Sequence, residues 1–211
     1  MPKKQRISFQ EVTSPIAGLV TKFGGQPDWV SEPQWPLSRE TGNPMRFICQ
    51  IKLAKELFSD CKADMMYLFM TDEQDQFVDG TYEPDGGENA VILQPGSTTV
   101  PTKKLTNGPT LYRMVKKSEQ NLLAPESCQF AVTLIDDEDL TAANAKLDEN
   151  KIGGSPAFVQ GDEFPFDGVC RLLLQLDSCS VPFYVNFGDA GVGYAFLNEA
   201  GDQAKFLFQC G

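Results

Sequence analysis

The residue types that carry most acid–base and nucleophilic chemistry are sparse in this chain. Histidine is absent. That removes Ser–His and Cys–His nucleophile pairs and every metal site built on imidazole. Cys49, Cys61, Cys128, Cys170, Cys179 and Cys210 are scattered with no C-x-x-C pair. The basic start Met1-Pro-Lys-Lys-Gln-Arg6 is followed by no apolar segment, so no export signal is read and reduced thiols are expected. Cys49, inside Phe47-Ile-Cys-Gln-Ile51, reads as a small buried hydrophobe. Carboxylates are plentiful, but spacing singles out no pair for proton transfer. No catalytic set, no metal set and no cofactor is expected.

Two glycine pairs offer a different chemistry, the close approach of backbone to an anion. Lys22-Phe-Gly-Gly-Gln-Pro-Asp-Trp-Val30 returns as Lys151-Ile-Gly-Gly-Ser-Pro-Ala-Phe-Val159, at an offset of 129. Trp35-Pro36-Leu37 is answered by Phe164-Pro165-Phe166 without a gap. Arg46-Phe-Ile-Cys-Gln50 is echoed by Arg171-Leu-Leu-Leu-Gln175, and Tyr67-Leu-Phe69 by Tyr194-Ala-Phe196. Blocks in one order at a nearly constant offset mark an internal duplication. Neither glycine pair leads into Gly-Lys-Ser/Thr or a dinucleotide fingerprint. Each is read as a tight turn packed under Trp29 or Phe158, with an anion cradle as the alternative.

Gln50 and Gln175 are polar residues in apolar runs and must be hydrogen-bonded, because an orphaned buried amide costs about 1–3 kcal/mol. Each is expected to tie its strand to its own Gly-Gly-x-Pro loop, a ligand contact being the alternative. Gly188-Asp-Ala-Gly-Val-Gly193 has no counterpart in the first repeat, and Asp189 sits there among small residues. It reads as a turn capped by its aspartate or as a functional loop.

The balance of 18 Lys+Arg against 29 Asp+Glu gives a formal charge of -11. Such a chain repels nucleic acid and anionic lipid, and no apolar run nears the roughly 20 residues of a membrane helix. No nucleic-acid partner, no membrane and a cytoplasmic location are expected. Asp72-Glu-Gln-Asp75, Asp79…Glu83-Pro-Asp85-Gly-Gly-Glu88 and Asp136-Asp-Glu-Asp139 concentrate the charge, and none has calcium-loop spacing.

Elements of strand length and type recur along the chain. Arg6–Val12 reads as an edge strand; Met45–Leu53, Met65–Met70, Ala90–Gln94, Thr110–Val115 and Gln129–Ile135 follow. Beyond the second glycine pair come 170–176, 181–187, 194–197 and 205–209. Ala54–Phe58 reads as a short helical turn. Asp136–Asn150 reads as the best helix, acidic at its start with Leu140, Ala143 and Leu147 on one face. The fold class expected is α+β: β-dominated mixed or antiparallel sheets from two duplicated halves related by a pseudo-twofold. One compact domain over 1–211 is expected, with repeats at about 20–75 and 149–203 and a β-rich insert at 76–148.

The motifs Lys151-Ile-Gly-Gly-Ser-Pro…Val159-Gln-Gly-Asp162, Leu172-Leu-Leu-Gln-Leu-Asp177 and Phe187-Gly-Asp-Ala-Gly-Val-Gly-Tyr-Ala-Phe196 resemble the YwqG-like family of bacterial proteins. Gly24-Gly-Gln-Pro27, Trp35-Pro36 and Cys49-Gln-Ile51 fit the same pattern, so the resemblance spans nearly the whole chain. It implies an α+β fold of two related halves and brings no catalytic residues, the family having no established activity. Phe187 stands where that family often has Trp.

Two functional readings follow. In the first, a non-enzymatic protein-binding module turns an acidic face (Asp72, Glu73, Asp75, Asp79, Glu83, Asp85, Glu88) toward a basic protein, as an immunity-type protein would toward a basic toxin. In the second, a small-molecule binder or enzyme uses a cleft between the repeats, lined by Trp29, Trp35, Gln50, Phe158, Gln175, Asp189 and Tyr194. A structural accessory subunit is a blander third.

Overall fold

The computed structural model describes residues 3–73, 78–117, 122–138 and 145–211. One ten-stranded sheet organises the chain. At its centre, β1 (Lys3–Glu11) runs antiparallel to β10 (Gln129–Glu138) from Lys3 opposite Glu138 to Glu11 opposite Phe130. From β10 the sheet continues through β2 (Lys22–Gly24), β4 (Arg46–Lys52), β5 (Met65–Met70) and β6 (Asn89–Gln94). From β1 it continues through β11 (Lys151–Gly153), β12 (Arg171–Asp177), β13 (Val192–Leu197) and β14 (Ala204–Gln209). The outermost strands β6 and β14 come back into contact, so the sheet curls into a nearly closed barrel. β3 (Trp35–Pro36) pairs with β7 (Thr102–Lys103), and β8 (Tyr112–Lys117) with β9 (Leu122–Ser127), outside it.

The matched segments fill corresponding strands. Lys22 lies opposite Gln50, and Lys151 opposite Gln175. Gln50 lies opposite Tyr67, and Gln175 opposite Tyr194. The leading strands are exchanged: β1 precedes β2 in sequence but pairs with β11, while β10 precedes β11 but pairs with β2. Arg6 thus stands opposite Lys151 as Ala131 stands opposite Lys22.

Strands β5, β6 and β13 are buried along their whole length because both sheet faces are covered. On one face a continuous core joins the halves through Phe23, Ile48, Phe130, Leu173, Phe187 and Phe206. On the other, two separate clusters form, around Trp35, Tyr67 and Phe69 and around Tyr194, Phe196 and Leu207. Runs of apolar residues without alternation are what such doubly covered strands require.

The α+β expectation is overturned: no helix occurs among the described residues, and the fold is all-β. The expected helix at Asp136–Asn150 begins instead as the end of β10, where Asp136 and Asp137 face Gln5 and Lys4. Gln5 Nε2 donates to Asp136 Oδ1 at 2.7 Å, and Arg6 Nε lies 3.0 Å from Asp137 Oδ2. Cross-strand pairing took the acidic residues that would have started a helix. Leu140 and Ala143 lie outside the described residues, while Leu147 sits in a turn and is exposed. β1 is likewise central rather than an edge, and 181–187 contributes only an isolated bridge at Tyr184. Ala54–Phe58 forms one turn, with Phe58 N–H donating to Ala54 O at 2.9 Å. No helix long and apolar enough to cross a membrane is found among the described residues.

Candidate functional site

Six of the seven residues expected to line one cleft split between two equivalent places. In the first half, Asp28 N–H donates to Gln50 Oε1 at 2.8 Å, and Gln50 Nε2 donates to Gly18 O and Val20 O at 3.1 and 2.8 Å. The Tyr67 hydroxyl donates to Asp28 O at 2.8 Å and accepts from Val30 N–H at 3.1 Å. Gln94 completes the clamp, accepting from Ser31 N–H and donating to Glu32 O. Trp29 lies against Tyr67, ring centroids 4.8 Å apart. Trp35 is fully buried, and its indole N–H donates to Met45 O at 2.7 Å.

The second half repeats this. Ala157 N–H donates to Gln175 Oε1 at 2.9 Å, Gln175 Nε2 donates to Lys146 O at 2.8 Å, and the Tyr194 hydroxyl donates to Ala157 O at 2.6 Å. Gln209 accepts from Val159 and Gln160 N–H, both at 3.0 Å, and donates to Gly161 O. Phe158 lies 5.1 Å from Tyr194. Gln50, Gln175, Tyr67 and Tyr194 are all fully buried. The glutamine oxygens and the tyrosine hydroxyls go to the loops that follow each glycine pair, and the glutamine amide nitrogens to carbonyls that precede it, so the side chains position backbone on both sides. Burial pushes the Tyr67 phenol up to about 12 and raises Tyr194 as well. Asp189 joins neither group. It is exposed, in a loop where Gly211 N–H donates to its carbonyl at 3.0 Å and Ala190 takes a positive φ of 47°.

The matched lysines are buried too, Lys22 at 1% exposure and Lys151 at 0%. Lys22 Nζ donates to Ile16 O at 2.6 Å and pairs with the Asp28 carboxylate, while Lys151 Nζ donates to Ser155 O at 2.6 Å. They tie down their own loops. Gly24 is required for a steric reason: at φ 68° its backbone lies so close to β10 that a Cβ would meet Cys128 O at 2.2 Å.

The acidic residues expected to form one face also divide. Asp72 Oδ2 lies 2.9 Å from Arg46 Nε, both side chains largely buried. Glu88, 2% exposed, accepts from Glu40 N–H at 2.9 Å and from the Thr71 hydroxyl at 2.7 Å. Glu73 Oε1 accepts from Asn43 Nδ2 at 3.4 Å. Asp75 lies outside the described residues. Asp79, Glu83 and Asp85 are exposed, and Asp79 and Glu83 stand near Tyr82, which is also exposed. Glu83, then Asp79 and Glu163, push the Tyr82 phenol upward, so the ring stands in a negative field.

That loop is held rigidly against the second half. Asn89 Nδ2 donates to Thr81 O and Glu83 O at 3.0 and 2.8 Å, and Phe208 N–H donates to Tyr82 O at 3.3 Å. Lys205 Nζ reaches Asp85 Oδ2 at 2.7 Å. Inspection of the sequence missed Tyr82, Gln94 and Gln209. Gln94 and Gln209 close Ala90-Val-Ile-Leu-Gln94 and Lys205-Phe-Leu-Phe-Gln209, a match that was there to find.

All six cysteines are free, and among the described residues no cluster of three or more histidine, cysteine or carboxylate side chains could hold a metal. Burial raises the Cys49 thiol, and raises Cys128 to about 12. No curated protein matches this sequence. Residues 21–207, which hold both glycine pairs and all of the clamps but Gly18, Val20 and Gln209, match one family model: the chain belongs to the DUF1963 family, a domain of unknown function.

Proposed function

We propose that the protein is a non-catalytic binding module of the cytoplasm whose acidic face engages a basic protein, in the manner of an immunity protein neutralising a basic toxin. The observation that carries this is Tyr82, an exposed aromatic among Asp79, Glu83 and Glu163 on a loop pinned by Asn89 and Phe208. Exposed tyrosines at rigid positions are favoured anchors of interfaces, and a preformed loop loses little entropy on binding. The surrounding carboxylates, within a chain of charge -11, would steer a basic surface toward it. Asp72 and Glu88 drop out of the face, since both serve the interior. Within the family, we place the chain beside the YwqG-like bacterial proteins, on the Gly153-Gly154, Leu172–Asp177 and Phe187–Phe196 motifs.

The test is retention of partners from native lysate by wild type, Tyr82→Ala and Glu83→Lys, at low and high salt. A basic protein held stoichiometrically by wild type, released at high salt and lost with either variant, is expected. Equal retention by all three, or no basic partner at all, sinks the reading.

A further inference from the structure

The two halves treat one matched arginine differently. Arg46 is held by a largely buried partner: Nε lies 2.9 Å from Asp72 Oδ2, without hydrogen-bond alignment, Nη1 donates to Thr110 O at 2.6 Å, and the guanidinium sits 4.5 Å above the Tyr112 ring. Arg171, its counterpart, reaches one carboxylate, Asp60 Oδ2 at 3.5 Å from Nη1, and that carboxylate is 72% exposed. Arg171 Nε and Nη2 are shielded from solvent and have no hydrogen-bond partner. A native protein seldom leaves such donors empty without a reason. Nε and Nη2 share one edge of the guanidinium, the edge that holds a carboxylate through two parallel N–H···O bonds.

Arg171 borders a hollow of about 460 Å³. Phe58 and Leu172, both nearly fully buried, and Leu57 give it an apolar lining. Gly153 lies on its wall with φ 73°, where a Cβ would press to 3.0 Å from Lys3 O. Lys3 adds a second cation and Glu56 a carboxylate on the lining, while Asp60 offsets the charge of Arg171 from beside it. The empty site is therefore close to neutral. A monoanion adds one negative charge there, whereas a phosphate dianion adds two in a chain already at -11.

We propose that this hollow binds a small organic carboxylate. Its two oxygens lie on the Nε–Nη2 edge of Arg171, its charge faces Lys3, and its apolar body rests on the partly exposed Leu57. Arg171 presents that edge by turning from Asp60, a long and exposed contact that costs little to release. None of these residues belongs to the Tyr82 loop, so the site stands or falls independently of the partner-binding reading.

The test is titration of uniformly ¹⁵N-labelled full-length protein with phenylacetate, phenylacetamide and inorganic phosphate, followed at the arginine Nε–H resonances. Phenylacetate is expected to shift the Arg171 Nε–H signal saturably. Phenylacetamide should bind on the order of tenfold more weakly or worse, since hydrogen bonds to a charged partner contribute about 1.5–3 kcal/mol. Arg171→Lys, which keeps the charge and loses the fork, should weaken phenylacetate measurably, and Arg171→Gln should abolish its binding. No saturable shift, equal binding of the amide, tighter binding of phosphate, or full binding by Arg171→Gln each overturns the proposal. The wild-type titration decides even if a variant fails to fold.

Discussion

Gln50 and Gln175 occupy the same register in strands on opposite sides of the sheet centre, each opposite a buried lysine and each accepting the backbone N–H of the residue after the loop proline. Replacing either removes three hydrogen bonds and strands a loop N–H in the interior. At about 1 kcal/mol per bond, Gln50→Ala and Gln175→Ala should each destabilise by about 2–4 kcal/mol. Urea denaturation reads this as a lowered midpoint at unchanged slope. A loss under 1 kcal/mol for both would mean the clamps hold nothing that water cannot.

Glycine-to-alanine exchange should separate steric need from conformational need. Gly18 has φ 101° with nothing within 4 Å of a Cβ, so Gly18→Ala should cost about 1–2 kcal/mol of backbone strain alone. Gly24→Ala adds the collision with Cys128 O and should cost well beyond that. Comparable melting temperatures for the two variants would contradict the close β2–β10 approach.

Stability should fall in alkali. The Tyr67 phenol is raised by burial from 10.0 to about 12, so its contribution is whole below pH 10 and is lost as pH rises toward 12. Cys128, raised from 9.0 to about 12, acts in the same direction from pH 9 upward. Denaturation midpoints at pH 8, 10 and 11.5 should decline, and Tyr67→Phe should decline less steeply from a lower start. A flat profile would show that these groups are as hydrated folded as unfolded.

Thiol labelling should be ordered by burial. Cys179 is exposed and should react first with an aromatic disulfide reagent at neutral pH, while Cys49, Cys61 and Cys128 should react only on unfolding. Peptide mapping at successive times gives the order directly.

Asp72→Ala should leave Arg46 largely buried without its carboxylate, destabilising by about 3 kcal/mol, whereas Asp85→Ala on the surface should change stability by under about 1 kcal/mol. If the two cost the same, the burial of the Arg46 pair has been overrated.

How far the sequence could be read depended on whether local pattern and tertiary surroundings agreed. β5 and β6 were legible because six consecutive buried positions leave no room for polar residues. β1, Lys3-Lys-Gln-Arg-Ile-Ser-Phe-Gln-Glu11, alternates because one side of the central strand is exposed, and alternation alone resembles an edge. The helix pattern beyond Asp136 failed because β1 supplied Gln5 and Arg6 as partners across the sheet, which no local window contains. Gln50 and Gln175 stood out as polar residues inside apolar strands. Gln94 and Gln209 did not, because they close theirs, where amides are ordinary. Tyr82 was hidden in a turn-rich stretch whose anchors, Asn89 and Phe208, lie 7 and 126 residues away.

The exchange of β1 and β10 has a consequence for what a single repeat could be. A polypeptide carrying only β1 to β6 would present β2 without its neighbour and β1 without a place, and the missing strand would be the one an identical polypeptide also had to spare. Two such polypeptides would complete each other by reciprocal donation about a twofold axis. The present chain is then a tethered version of that dimer. Severed between 118 and 121, its fragments should remain associated through the paired strands β1 and β10 and release one another only on denaturation.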